Sequence, residues 1–260
     1  SNVGSTNNTG DNYVAWNWKA NGTGSANTDG TISSTVSVNT TSGFSIVKYV
    51  GTGSNATVGH GLSTAPTALF VKNLDSGSEQ WINYDVSSGP TKYYHLNLGD
   101  AAGVGSTIWN DTAPTTSVFS LGTVANCNSS GVNYIAYCFS NIKGFSKVGG
   151  YTGNGSVDGP FIYTGMSPAI IIAKKTSGVG DWVIWDNKRD GYNETVKRLY
   201  PNDTAAEESG VAQGVDFLSN GFKLKGTTSN AWNSGSDTYI YLAFAESPLV
   251  SSNGIPATAK

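Results

Sequence analysis

The sequence repeats itself with an offset of about one hundred residues. Gly43 begins a Gly-Phe-Ser segment that recurs at Gly144, an offset of 144 − 43 = 101 residues. The later matching pairs are 49–54 with 151–156, 66–72 with 168–174, 81–85 with 182–186 and 134–139 with 239–244. A repeat of this length can enclose its own core, whereas solenoid units of about 20–50 residues depend on stacked neighbours. The pattern therefore predicts two domains in tandem.

The limits of the two copies follow from the junction between them. The end of the first copy runs into the second Gly-Phe-Ser with almost no linker, which predicts domains at 43–143 and 144–260 in a fairly fixed relation. Residues 13–18 resemble the closing segment of each copy but have no repeat in front of them. Residues 1–42 are therefore predicted to be the end of a preceding repeat, within a longer polypeptide, plus a connection rich in Ser, Thr and Asn. Within that connection, 20–42 form either an added edge strand or a flexible tether.

The apolar runs indicate strands joined by turns. Most are short, β-branched or aromatic, and bounded by Gly, Asn, Ser or Pro. Residues 68–72 and 169–173 are nearly continuous apolar runs, which suit strands covered on both faces. The one plausible helical turn is 203–208. The predicted fold is all-β, with two tandem antiparallel β-sandwich domains of jelly-roll-like type, about six to eight strands each, preceded by the terminal strand of an earlier repeat.

The tryptophan-containing strands make specific predictions about faces. In 81–85, Ile82 and Tyr84 share one face and the other three residues share the opposite face. Trp182 and Trp185 are three positions apart and must point to opposite faces. Both can lie in a core only if both faces of that strand are covered.

Composition excludes several classes of partner. Charged residues are 13% of the chain and the net charge is −3, so the surface offers no field for a phosphate backbone. No stretch approaches the ~20 apolar residues that span a bilayer. We therefore predict neither nucleic-acid binding nor membrane insertion. Cys127 and Cys138 are predicted to be free thiols because they are not opposite each other in a simple hairpin.

The chemistry-bearing residues do not form a catalytic pattern. His60 and His95 both lie in the first copy and have no counterparts in the second. Asp85 and Asp186 are shared by the copies, but one carboxylate per copy does not make a glycosidase pair, which needs two about 5–10 Å apart. We expect a non-enzymatic protein that uses no cofactor.

One segment resembles a calcium-binding loop. Residues 186–191 combine oxygen ligands with a glycine, and Asp186 and Asp190 would be the metal ligands. Two cations lie inside the loop and the closing glutamate is missing. We therefore favour a turn with an Asp–Arg contact and predict no metal site.

The aromatic residues are the remaining signal for a ligand. Aromatic faces on a polar, Asn-rich surface stack on sugar rings, although most aromatic residues fill cores. Trp109 and Trp232 lie in turn-rich polar segments beside Asn110 and Asn233. If any aromatic residue contacts a ligand, these four residues are the predicted ligand-binding set.

Several motifs resemble a known family. The Gly-Phe-Ser opening, the Tyr-x-Gly-x-Gly pattern at 49–53, the Gly-His-Gly-Leu-Ser-Thr-Ala-Pro run at 59–66 and Tyr-Ile-Ala-Tyr-Cys-Phe at 134–139 are similar to a repeated β-rich domain. That domain occurs in virion and tail-fibre-like structural proteins of tailed marine bacteriophages, including cyanophages. The similarity covers nearly the whole chain from Tyr13 and implies a virion surface component. It supplies no catalytic residues.

The resemblance leads to two functional hypotheses. The first is an exposed, extracellular fibre or spike module at the virion surface, a homotrimer that contacts other virion proteins and adheres to a host-surface glycan. The second is a purely architectural protein that decorates the capsid or builds an appendage without recognising a ligand. A third, disfavoured hypothesis is a polysaccharide-degrading spike.

Overall fold

The computed structural model describes residues 9–226 and 231–246, and within them the fold is all-β as the sequence predicts. The strands of the first half are β1 Ser25–Asn27, β2 Ser34–Asn39, β3 Phe44–Val50, β4 Ala56–Gly59, β5 Ala68–Asn73, β6 Ile82–Asp85, β7 Lys92–His95, β8 Gly103–Val104, β9 Val118–Leu121 and β10 Asn133–Phe139. Those of the second half are β11 Ser146–Thr152, β12 Asp158–Tyr163, β13 Pro168–Lys175, β14 Trp182–Asp186, β15 Lys197–Arg198, β16 Glu208–Ser209, β17 Val215–Leu218, β18 Gly221–Lys225 and β19 Thr238–Ala245. Helical turns are α1 Ser106–Trp109, α2 Ala125–Asn128 and a 3-10 turn at Val211–Gln213.

The strands of residues 25–139 form the first unit. An eight-stranded sheet in the order β1-β2-β3-β10-β5-β6-β7-β8 faces a two-stranded sheet of β4 and β9. The two sheets enclose a core in which Val58, Phe119 and Tyr134 are fully buried. Burial of such apolar area contributes about 25 cal/mol per Å², which is why the alternating apolar residues turn inward.

The strands of residues 146–245 form the second unit, and its central strand order matches that of the first. The order β11-β19-β13-β14 corresponds to β3-β10-β5-β6, and β12-β18, extended by β17, corresponds to β4-β9. Ile162, Phe222 and Trp185 lie in the core between these sheets. The domain limits predicted at 43–143 and 144–260 stay predictions. Within the described ranges, each sheet consists of strands from one unit.

A third core lies between the units, where the outer faces of the two main sheets meet. Phe70 and Phe139 of the first unit contact Trp182 and Phe244 of the second. The indole nitrogen of Trp182 also donates a hydrogen bond of 2.8 Å to the carbonyl oxygen of His95. The central strands of each main sheet are therefore covered on both faces, which explains the nearly continuous apolar runs of β5 and β13.

The face predictions are confirmed. Ile82 and Tyr84 lie in the first core, whereas Trp81 packs against the third core. Trp182 and Trp185 are both fully buried, because Trp182 faces the third core and Trp185 faces the core of the second unit. Cys127 and Cys138 are buried free thiols, as predicted.

Three expectations about the irregular segments are answered by the structure. Residues 13–18 do not form a strand; Trp16 and Trp18 are half-buried against the third core instead. Within 20–42, β1 and β2 join the first sheet, so the added edge strand is the correct alternative. Residues 203–208 are not helical, because that segment has no apolar face to pack. Among the described residues no helix has the length and apolarity to span a bilayer.

Candidate functional site

The two tryptophans predicted to contact a ligand are buried. Trp109 is 1% exposed and packs edge-to-face on Tyr84 at 6.0 Å between ring centroids. Trp232 is 4% exposed, and its ring centroid lies 5.4 Å from that of Trp185 and 5.9 Å from that of Tyr200. The expectation that these rings are presented to a ligand is therefore wrong. Both segments fold inward because burying the large apolar area of an indole ring in a core lowers the free energy of the folded state.

The two predicted asparagines have different environments. Asn110 is exposed in a left-handed conformation, with φ of 50°, and its Oδ1 accepts a hydrogen bond from Asn55. Asn233 is buried, and its Oδ1 accepts the main-chain N–H of Asn154 at 2.9 Å. Its Nδ2 donates to Asn154 Oδ1 and to the carbonyl of Ser156. The Asn233 amide is thus used to hold a turn and is not available to a ligand.

The structural counterpart of Asn233 is Asn128, which the sequence analysis did not single out. Asn128 is also buried; its Oδ1 accepts the N–H of Thr52, and its Nδ2 donates to the carbonyl of Ser54. Each asparagine is followed by a serine whose N–H donates to the tyrosine five residues on, in Asn-Ser-x-x-x-x-Tyr. That short pattern, at 128–134 and 233–239, is the signal that could have paired the two positions.

The calcium-like segment is held by protein groups. Arg189 Nε lies 2.6 Å from Asp186 Oδ2, and the N–H groups of Lys188 and Arg189 donate to Asp186 Oδ1. Asp190 Oδ2 accepts two further main-chain N–H groups, from Val196 and Lys197. The structure thus shows the Asp–Arg turn. In the described ranges, no three His, Cys, Asp or Glu side chains are grouped closely enough to hold a metal ion.

Both histidines are engaged by neighbours. His60 is buried between the carbonyl of Thr115 and the N–H of Leu62, and burial lowers its pKa. His95 Nδ1 lies 2.6 Å from Asp100 Oδ2 on the side of the first unit that faces the second. The partners of the two histidines in these contacts are main-chain groups and a carboxylate.

A pocket of about 410 Å³ opens at the third core. We call it the interunit pocket; its lining includes Trp16, Trp18, Trp81, Tyr137 and Phe244. The lining is almost entirely apolar, so the pocket can hold an apolar group. It lacks the convergent polar groups that orient a sugar.

The outer surface of the β12-β18-β17 sheet carries exposed aromatic rings. We call it the aromatic sheet face; it comprises Phe161, Tyr163, Gly221, Lys223 and Asp216. Phe161 and Tyr163 are 47% and 65% exposed. The strand register places Phe161, Lys223 and Asp216 in one row, and Tyr163 and Gly221 in the next.

Glycine at 221 gives this face its shape. A Cβ at Gly221 would lie 2.9 Å from a ring carbon of Phe161, so the phenyl ring lies directly over the glycine. Lys223 Nζ contacts Asp158 Oδ1 at 2.7 Å and holds the pKa of that carboxyl below its usual range. The result is a flat apolar strip beside charged hydrogen-bonding groups.

The first unit has no such face. The core pair Val58 and Phe119 corresponds to Ile162 and Phe222, so Thr57 occupies the position of Phe161. The exposed aromatic residues of β12 are not among the ligand-binding residues predicted from the sequence. Their signal was the Phe161-Ile162-Tyr163 alternation, in which the aromatic side chains flank a core isoleucine and must therefore point outward.

Comparisons with known proteins identify a family but no activity. No curated protein matches the chain, and no solved structure matches it. A family model matches residues 1–248, which is nearly the whole chain. The chain therefore belongs to the family described as a domain of unknown function, DUF7483.

Proposed function

We propose that the chain is a non-enzymatic module of a bacteriophage virion surface that adheres to a host-surface glycan as part of an exposed fibre or spike. The resemblance described above supports the virion assignment. The aromatic sheet face is the observation that carries the adhesion proposal. In this proposal the aromatic sheet face, instead of the buried Trp109 and Trp232, is the surface that contacts the glycan.

The chemistry of the aromatic sheet face suits a sugar chain. Phe161 and Tyr163 expose ring surface on which a pyranose can stack through its C–H groups. Lys223 and Asp216 lie in the row that contains Phe161, where they can donate to and accept from sugar hydroxyls. The strands below are anchored by the core residues Ile162 and Phe222, so the rings are held on a rigid support.

The virion setting adds two proposals about partners. The module assembles as a homotrimer and contacts other virion proteins, so that several copies of the aromatic sheet face are displayed together. Multivalent display raises the avidity of weak sugar contacts without any new contact. Sedimentation analysis of the purified chain tests the trimer directly.

Glycan-array binding tests the adhesion proposal. The wild-type chain is expected to bind a defined set of glycans, and a Phe161→Ala/Tyr163→Ala variant to lose at least about tenfold in affinity. Tyr13→Ala is the matched control, because Tyr13 is 51% exposed and lies outside the aromatic sheet face. Equal binding by the double variant, or no binding of the wild type to any glycan or host cell, would contradict the proposal.

The architectural function is the second candidate. The edge of β12 favours it, because β12 is a terminal strand of its sheet among the described residues. Exposed edges with apolar side chains are docking points for other chains. Electron microscopy of virions with labelled antibody tests this candidate. Label confined to the head or tail shaft would favour architecture, and label at fibre tips would favour adhesion.

A further inference from the structure

The first unit shows how the edge of its small sheet is covered. Residues 31–32 run beside β4, where the N–H of Ile32 donates to the carbonyl of Thr57 at 2.9 Å. The N–H of Thr57 in turn donates to Thr31 Oγ1 at 2.8 Å. Ile32 is 6% exposed and lies in the first core. This extended segment therefore satisfies the outward main-chain groups of Thr57 and adds a side chain to the core.

The same segment continues along the main sheet. Directly after Ile32, β2 pairs with β3 from Ser34 opposite Tyr49 to Asn39 opposite Phe44. One stretch, 31–39, thus covers the same side of both sheets in the first unit. Its apolar residues, Ile32, Val36 and Val38, lie at even-numbered positions and so share one face, and the other residues are Ser, Thr and Asn.

Among the described residues, the second unit has the equivalent strands without the cover. β11 and β12 are each the terminal strand of their sheet, and only residues 140–145 separate β11 from β10. Tyr151, the counterpart of Tyr49, is half-buried whereas Tyr49 is 2% exposed. The β11 edge is capped at two positions. Ser146 and Ile142 exchange main-chain hydrogen bonds, and Asn141 Oδ1 accepts the N–H of Val148 at 2.6 Å. The β12 edge is the more open of the two.

The geometry of β12 leaves main-chain groups directed outward. The N–H of Thr164 donates to the carbonyl of Asn220, in line with the ladder that pairs β12 with β18. Because bonding alternates along an antiparallel strand, the N–H and C=O groups of Phe161 and Tyr163 point away from β18, as those of Thr57 point away from β9. The strand is also flanked by exposed Val157, and apolar side chains on an open edge mark an interaction site.

One feature limits the length of pairing. Pro160 cannot donate, and the register shifts between Asp158 and Phe161. A strand can therefore pair with β12 from Phe161 onward but not along its first half.

We propose that the β12 edge accepts an extended strand from another polypeptide, in which β-branched apolar residues share one face and most other residues are Ser or Thr, as in 31–39. The added strand extends the sheet in its own plane, as residues 31–32 do beside β4. The aromatic sheet face then stays open, so strand addition and glycan binding are independent of each other.

A peptide with the sequence of residues 29–40 tests the proposal on the whole 260-residue chain. Fluorescence anisotropy is expected to show saturable binding of the labelled peptide. A shuffled peptide in which the three apolar residues no longer share one face is expected not to bind. Hydrogen exchange of the wild-type chain is expected to slow at the amides of Phe161 and Tyr163 when peptide is present. Absence of binding, or protection confined to 31–50 through displacement of the chain's own segment, would overturn the proposal.

Two variants at position 163 distinguish the contribution of the main-chain N–H to peptide binding from that of the side chain. Tyr163→Pro removes an outward N–H and is expected to weaken peptide binding about tenfold, whereas Tyr163→Ala keeps that N–H and is expected to change binding less than about threefold. Circular dichroism checks that both variants are folded. If the chain alone forms dimers through β12 and peptide does not dissociate them, the occupant is a second copy and the proposal is wrong. Glycan binding is measured in parallel, so that its loss is not mistaken for loss of strand addition.

Discussion

Asp85 and Asp186 end the equivalent strands β6 and β14, but in the part of the chain that the structure describes only Asp186 of the two has a cationic partner. Arg189 Nε lies 2.6 Å from Asp186 Oδ2, and the residue at the corresponding position of the first unit is Ser88. Asp85 Oδ2 is buried without a hydrogen-bond partner among the described residues. Burial raises the pKa of Asp85 to about 7. Burial also raises the pKa of Asp186, but the hydrogen bonds from Arg189 and Lys188 outweigh this effect. The pKa of Asp186 therefore lies below its usual value.

Asp85→Asn is expected to stabilise the protein above pH 7. The folded pKa of Asp85 lies above the unfolded value of 3.8, so the native state binds more protons between these values. The wild-type free energy of unfolding therefore falls as pH rises through this window, by on the order of a few kcal/mol, and the variant lacks that fall. Urea denaturation at pH 4, 6 and 8 measures it. Asp186→Asn is the contrasting variant and should destabilise at pH 8; parallel pH profiles for wild type and Asp85→Asn would refute the assignment.

Lys174→Met is expected to remove a rise in stability at alkaline pH. Lys174 is fully buried, and its Nζ donates to the carbonyl oxygens of Asp100 and Gly180 at 2.6 Å each. Burial lowers its pKa to about 8, below the unfolded value of 10.5. The unfolded state therefore binds more protons between these values, and wild-type stability rises with pH across them, relative to the variant. Chemical denaturation of both proteins at pH 7, 8.5 and 9.5 measures the free energy of unfolding. If it changed with pH equally in both proteins, the buried ammonium group of Lys174 would not be the cause of the rise.

Trp182→Phe is expected to weaken the contact between the units. The substitution keeps a ring in the third core but removes the N–H that donates to the His95 carbonyl, at a cost of about 1–3 kcal/mol. Trp182→Ala also opens a cavity and should cost about 3–5 kcal/mol. Urea unfolding followed by tryptophan fluorescence measures both. Trp16→Phe is the control, because Trp16 is only half-buried against the third core. If it lowered the free energy of unfolding as much as Trp182→Phe does, the Trp182–His95 hydrogen bond would not be a specific contact between the units.

Asn128→Ala and Asn233→Ala are expected to destabilise their units by similar amounts. Each removes a buried amide that satisfies main-chain groups of a turn, which costs about 1–3 kcal/mol. Asn55→Ala removes one exposed side-chain contact and should change stability by less than about 0.5 kcal/mol. Thermal unfolding of the three variants gives the ranking. If Asn55→Ala proved as costly as Asn233→Ala, the structural role given to the buried pair would be incorrect.

The strand-level predictions succeeded where the pattern is local. Alternation alone assigned Ile82 and Tyr84 to one face, and a spacing of three alone required Trp182 and Trp185 to face opposite ways. The site predictions failed at Trp109 and Trp232, since a polar neighbourhood in sequence does not reveal whether the loop folds back over a core. Phe161 and Tyr163 were missed for the reverse reason, because an aromatic strand predicts burial unless the cover on its outer side is known.

The sequence by itself determined that the chain is all-β, where most strands lie, and which side of many strands is apolar, because a period of two is a property of neighbouring residues. Tertiary structure alone decided that the two main sheets bury a third core against each other, that residues 31–39 cover the edges of one unit and not the other, and that Asp85 is left without the cation that Asp186 has. These outcomes depend on contacts between segments far apart in the chain. No local pattern records such contacts, although they set the burial, the open edge and the pKa values on which the predictions rest.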